Sequence, residues 1–290
     1  MSHAVTVPTT PFKSQSGALE VHQIPAWNDN LIWLLVCTDQ GKAAAIDGPE
    51  AGPVLDYCKA HGFELTAIFN THVHGDHIGI NKDLESRGLL EVLRVVGAER
   101  TRDAVPGITE ALNDGDELHF GKIKGRALLT EGHINGHLSY VFEDLLFAGD
   151  TLFTAGCGYL FDGPAAKMFE SLSTLAALPP ETRVCCAHEY TQDNLRFAWS
   201  VEPDNQALAT RIAETWALRS RGECAVPSTI GLERATNPFL RSSSSTIRAA
   251  VSRAFGNRAL DSDLEVFAAT RALKDRKDYR QLSVDQLPLG

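Results

Sequence analysis

Thr71-His72-Val73-His74-Gly75-Asp76-His77 follows a short apolar run at residues 65–69, the pattern of a buried strand. Three histidines and one aspartate fall within six residues. Imidazole and carboxylate are the ligands that suit zinc, iron and manganese. Packed this tightly, such groups repel one another unless a cation lies between them. A short loop cannot wrap all four side chains around one ion. The alternation places His72 and His74 on one ion and Asp76 and His77 on another. Each ion then needs further ligands, and three stretches offer them: Gly132-His133-Ile134-Asn135-Gly136-His137, Gly149-Asp150 and Ala187-His188-Glu189-Tyr190. Each lies at a strand end or in a glycine-bearing turn, where the backbone can bend to present a side chain.

Around this motif the chain divides in two. Residues 31–36 and 43–46 read as a hairpin across Asp39-Gln40-Gly41-Lys42, and residues 54–61 read as a helix stopped by Gly62. Strand patterns recur at 93–96, 123–129, 139–142, 145–148 and 183–187, with an amphipathic helix at 168–178. After Gln192 the texture is helical, at 193–200, 205–221, 246–255 and 261–279. Loop signals separate these helices at Val226-Pro227-Ser228 and Asn237-Pro238. No internal repeat is present.

A length of 290 residues suits one large domain, or one domain and a smaller one. The net charge of −10 argues against a general nucleic-acid binder, which needs a basic face. None of the six cysteines forms a C-x-x-C pair, so reduced, buried thiols in a cytoplasmic protein are expected. Residues 1–16 are rich in Ser, Thr and Pro and lack the apolar core of a signal peptide; they are expected to form a flexible leader. No apolar run approaches the ~20 residues needed to span a bilayer. No nucleic-acid or membrane partner is expected, and the chain is expected to be a monomer.

The series H-x-H-x-D-H, G-H, G-D and H resembles the metallo-β-lactamase superfamily, and within it glyoxalase II, the hydroxyacylglutathione hydrolases. Residues 147–158 (FAGDTLFTAGCG), 178–191 (LPPETRVCCAHEYT) and 194–205 (NLRFAWSVEPDN) carry the narrower resemblance, which runs from about residue 20 to the C-terminus. It implies an αββα sandwich over residues 17–192 and a C-terminal α-helical, substrate-binding domain over 193–290. It implies two divalent metal ions, zinc or alternatively iron or manganese. His72, His74 and His137 would hold one ion, Asp76, His77 and His188 the other, and Asp150 would bridge them. His133 is left as packing or support. Asp47, at the end of an early strand, is either a supporting acid or a simple turn residue.

The implied reaction is hydrolysis of a glutathione thioester, S-D-lactoylglutathione, to D-lactate and glutathione, a step of methylglyoxal breakdown. Asp76 would orient the metal-bound hydroxide, and the thiolate leaves without a general acid. Tyr159, Tyr190, Lys274 and Lys277 stand at the family's glutathione-binding positions. Two depart from its pattern: Tyr159 replaces a Lys or Arg, and Lys274 replaces an Arg. A lysine cannot pair with a carboxylate through a bidentate fork. The departures leave open a weaker hold on glutathione, a different thiol carrier, or compensation by Arg276. Other chemistry of the superfamily, on another thioester, a lactone or a persulfide, is the alternative enzyme reading. A metal-binding relative without activity is the non-enzymatic one.

Overall fold

The computed structural model of the chain describes residues 3–289. Strands β1 (Phe12–Lys13), β2 (Leu19–Ala26), β3 (Asn30–Cys37), β4 (Lys42–Ile46), β5 (Glu64–Phe69), β6 (Arg94–Ala98) and β7 (Glu110–Leu112) form one sheet in that order. A second sheet runs β15-β14-β11-β10-β9-β8. Its strands are β8 (Glu117–Phe120), β9 (Ile123–Leu129), β10 (Leu138–Phe142), β11 (Leu145–Gly149), β14 (Arg183–Cys186) and β15 (Ser228–Thr229). A ribbon of β12 (Leu152–Phe153) and β13 (Gly156–Cys157) stands apart.

Alternation along the strands decides what each face buries. Leu31, Trp33 and Leu35 of β3 point inward with Phe69, and meet Tyr140, Phe142 and Phe147 of the other sheet in the central core. Ile32, Leu34 and Val36 point the other way, onto helices α1 (Gly52–His61) and α2 (Gly75–Ser86). Every residue of β3 is buried because both faces are covered, which is why it reads as an unbroken apolar run. On the far side, Leu128, Leu146, Ala148 and Val184 pack against α3 (Ala165–Ala176) and the helices that follow. These are α4 (Thr191–Val201), α6 (Ile230–Thr236), α7 (Ser245–Ala254) and α8 (Asp263–Asp275), while α5 (Gln206–Ser220) packs on α4. The layers are those of the expected αββα sandwich with a helical C-terminal part. No described helix is long and apolar enough to cross a membrane.

Two expectations change. Met1 and Ser2 lie outside the described residues, but the rest of the expected flexible leader is anchored. Val5 is buried in the central core, Val7 bridges Glu223, Thr9 Oγ1 donates to the Val226 carbonyl at 2.6 Å, and β1 extends the first sheet. Its Ser, Thr and Pro content reflects an edge segment whose polar groups find partners. The helical part also contributes a strand: Ser228 and Thr229 pair antiparallel with Val184 and Arg183, so a sheet edge is completed from beyond residue 192.

The sequence also gives no strong signal for α2, which begins inside the histidine motif with His74 as its N-cap and Asp76 in its first turn. It lies close against the loop after β4: a Cβ on Gly79 would stand 2.2 Å from the Pro49 carbonyl oxygen.

Candidate metal centre

Four segments, each following the C-terminal end of a strand, deliver their side chains to one place. His72, His74, Asp76 and His77 follow β5, His133 follows β9, Asp150 follows β11 and His188 follows β14. Three ring nitrogens converge first: His74 Nδ1 lies 2.9 Å from His72 Nε2 and 3.1 Å from His133 Nε2. Beside them, His77 Nε2 lies 3.6 Å from Asp76 Oδ2 and 3.5 Å from Asp150 Oδ1. His188 Nε2 lies 3.4 Å and 3.5 Å from the same two oxygens. Asp150 Oδ2 reaches the other way, 3.5 Å from His133 Nε2. Asp150 thus stands between the group of His72, His74 and His133 and the group of Asp76, His77 and His188, and each group is compact enough to hold a metal ion.

This arrangement corrects the expected role of His137. Both of its ring nitrogens are engaged elsewhere: Nε2 accepts from the Asp150 amide at 3.1 Å, and Nδ1 lies 3.0 and 3.1 Å from the hydroxyls of Thr130 and Thr151. The ring is fully buried beneath Gly149, whose hypothetical Cβ would stand 2.6 Å from Nε2. Burial, with the neighbouring imidazole of His133, holds its pKa well below the usual histidine range. A neutral ring with Nε2 accepting carries its proton on Nδ1. His133 takes the expected place instead. Gly132, at φ +132 and with no room for a Cβ against Met168, turns the chain so that this ring faces the cluster.

The outward nitrogens are held as metal-binding histidines require. His77 Nδ1 lies 2.9 Å from Asp47 Oδ2, and His188 Nδ1 lies 2.9 Å from Asp29 Oδ1. His133 Nδ1 lies 2.8 Å from the Tyr159 carbonyl, and His72 Nδ1 3.0 Å from the Thr71 hydroxyl. Asp47 is therefore a supporting acid and more than a turn residue. It sits at φ +57 and also accepts from Thr71 N and Oγ1, each at 2.7 Å. Asp29 had no signal in the sequence, because only the fold carries the loop between β2 and β3 to His188.

Charge is balanced toward a cation. His77 Nε2 and Asp150 Oδ1 are buried, 3.5 Å apart, and find no hydrogen-bond partner. Burial opposes charge on His188, but Asp150, Asp29 and Asp76 outweigh it and raise its pKa to about 10. Burial would raise the Asp76 pKa, yet His188, His77 and Asn30 draw it far below the usual carboxylate range. Lone pairs and carboxylate oxygens facing one another at these distances fit divalent ions between them.

The cluster opens into a cavity of about 460 Å³ bordered by Phe153, Tyr159, Phe161 and Tyr190. Phe153, Tyr159 and Tyr190 also border a second cavity of about 600 Å³, walled by Asp193, Lys277 and Arg280. Tyr190 stacks on His188 with ring centroids 4.9 Å apart, and Tyr159 stands half exposed beside Phe161. Tyr159, Tyr190 and Lys277 therefore stand where a substrate in the two cavities would meet them.

Lys274 also borders the second cavity, but it is only 7 % exposed, donates Nζ to Asn194 Oδ1, and lies over the Phe197 and Phe239 rings. Burial, with Arg271 nearby, lowers its pKa to about 7. Between pH 7 and the ordinary lysine value the folded chain holds fewer protons here than the unfolded chain, so stability rises with pH across that window. Urea unfolding at successive pH values should show this rise, and Lys274→Met should flatten it. An unchanged slope in the variant would contradict the assignment.

The helical part also reaches the site. Glu233 on α6 is fully buried and accepts from the Ala155 amide at 2.8 Å and from Arg211 at 2.5 Å. Ala155, at φ +55, lies in the loop between Asp150 and Tyr159.

Known proteins share this architecture. Residues 38–188 match the metallo-beta-lactamase superfamily, and residues 189–277 match the hydroxyacylglutathione hydrolase C-terminus. A hydroxyacylglutathione hydrolase of Methylococcus capsulatus is 47% identical over 89% of this chain and 98% of its own length. The chain belongs to the hydroxyacylglutathione hydrolase family. Another member, from Gloeobacter violaceus, is 46% identical over 88% of this chain and 99% of its own length. Among solved structures, the family's fold is shared by ETHE1 from Myxococcus xanthus, with TM-score 0.56 and 23% identity over 88% of this chain and 97% of that one. It is shared too by the BLEG-1 B3 metallo-beta-lactamase, with TM-score 0.57 and 21% identity over 76% of this chain and 99% of that one.

Proposed function

We propose that this chain is a binuclear metal-dependent thioesterase that hydrolyses S-D-lactoylglutathione to D-lactate and glutathione. The observation that carries the reading is the joining of two cavities at Tyr159 and Tyr190, one holding the histidine and aspartate cluster, the other lined by Arg271, Lys274, Lys277 and Arg280 with Asp193 and Asp275 among them. His72, His74 and His133 would hold one ion, Asp76, His77 and His188 the second, and Asp150 both. Residues 17–192 supply the cluster, and residues 193–290 supply most of the second cavity.

Two divalent ions, zinc in our reading, would lower the pKa of water to about 7 and polarise the thioester carbonyl. The protein's own groups set the geometry. Asp76 meets Asn30, His77 and His188 through Oδ2, leaving Oδ1 to accept a hydrogen bond from water in the cavity. Its depressed pKa keeps it ionised for that purpose. Asp47 and Asp29 fix the rings of His77 and His188. The departing thiol has an ordinary pKa of about 8.5, so it leaves as thiolate without a general acid.

Turnover of S-D-lactoylglutathione is followed by the thiol released, for the metal-loaded protein, a chelator-stripped sample and Asp76→Asn. Turnover by the loaded protein alone is expected. A loaded protein that does not hydrolyse this thioester would overturn the proposal.

A further inference from the structure

The turn behind two of the cluster's side chains is held by the first described residues of the chain. Residues 27–29 join β2 to β3, and Asn30 opens β3. From here Asp29 Oδ1 meets His188 Nδ1 at 2.9 Å, and Asn30 Nδ2 donates to Asp76 Oδ2 at 3.0 Å. The turn's one large apolar side chain, Trp27, is exposed, so that side chain does not anchor it.

Hydrogen bonds from the N-terminal segment do. The Ala4 amide donates to the Asn28 carbonyl at 2.7 Å. His3 Nε2 lies 2.9 Å from the Asn30 carbonyl, and its Nδ1 lies 2.7 Å from the Val5 amide. An amide only donates and a carbonyl only accepts, so this ring is neutral with its proton on Nε2. The same segment is fastened on its other side. The Thr6 and Val7 amides donate to the Gly222 carbonyl, each at 3.0 Å, and the Cys224 amide donates to the Val7 carbonyl at 3.3 Å. Cys224 Sγ and the Ala225 amide donate in turn to Glu189 Oε2, at 3.0 and 2.8 Å. The Glu189 amide donates to the Asp29 carbonyl at 3.0 Å. These contacts close a circuit from residues 3–7 through residues 222–225 and Glu189, the neighbour of His188, back to the turn.

We propose that His3 is a positioning residue of the metal centre: it clasps the turn at residues 28–30, so that Asn30 and Asp29 hold Asp76 and His188 in place for one ion. His72 and His133 draw instead on the Thr71 hydroxyl and the Tyr159 carbonyl, so the other ion does not depend on the clasp. The proposal rests on the two-ion cluster of the reading above.

Zinc binding by the chelator-stripped full chain is measured by competition with a chromogenic chelator, beside Tm and the kcat and KM for S-D-lactoylglutathione. His3→Ala should weaken one of the two zinc affinities about 10-fold, the lower end of what lost support behind a ligand costs. The value of kcat should fall by a similar factor with KM kept, because Tyr159 and Tyr190 are untouched. His3→Gln, whose amide can still donate to the Asn30 carbonyl, should recover part of the loss. Thr9→Val removes a different bond of the same segment, the one to the Val226 carbonyl, and should lower Tm with both zinc affinities kept. The proposal is overturned if His3→Ala keeps both zinc affinities, if it weakens both equally, or if Thr9→Val weakens one of them as much. The zinc affinities decide it even where the thioester is not hydrolysed, an outcome that overturns the thioesterase reading alone. A wild type that binds no zinc overturns the metal centre, and the clasp's role with it.

Discussion

Replacing His133 with alanine is expected to release one of two bound metal ions and to lower kcat by roughly 10³-fold. One ion supplies several kcal/mol of transition-state stabilisation, and each 1.36 kcal/mol is a factor of ten in rate. Replacing His137 with alanine should act differently. Its ring bonds the Asp150 amide and two threonine hydroxyls, so its loss leaves buried groups without partners. That costs about 1–3 kcal/mol of stability per group. Both ions should stay, with activity down about 10–100-fold, the effect of losing support behind a ligand. Elemental analysis of the two purified variants separates the cases. Two ions in His133→Ala and one in His137→Ala would restore His137 as the ligand.

Asp150→Asn is the second large effect. The carboxylate faces His133 on one side and His77 and His188 on the other, so one change acts on both halves of the cluster. Loss of its charge should weaken binding at both positions and reduce kcat by more than roughly 10³-fold, since a position that empties takes its Lewis acid with it. Metal titration by calorimetry should show two weakened sites. One weakened site beside one intact site would place Asp150 on a single ion.

The residues near one another in sequence were the legible ones. His72, His74, Asp76 and His77 share a strand end and a helix start, so spacing alone distributes them. Asp150 and His188 follow strands with clear apolar runs. His133 and His137 defeated the same reasoning, because each follows a glycine and each lies near a strand end. Which ring turns inward depends on the left-handed turn at Gly132 and on β10 starting at Leu138, which draws His137 under Gly149. Asp29 and Glu233 act across long stretches of chain, at 159 and 78 residues from His188 and Ala155, and no local pattern marks such partners. Lys274 aligns with a substrate-binding position and borders the second cavity, but its burial over the aromatic rings of Phe197 and Phe239 had no local signal. β15 was illegible for a different reason, since two residues carry no alternation and their pairing depends on where α6 places them.

Stepwise reconstitution tests the binuclear thioesterase most directly. Chelator-stripped protein is titrated with zinc while hydrolysis of S-D-lactoylglutathione is followed at each addition. The predicted result is activity that climbs to a plateau at two equivalents per chain. A plateau at one equivalent, or two ions bound with no hydrolysis, would contradict it.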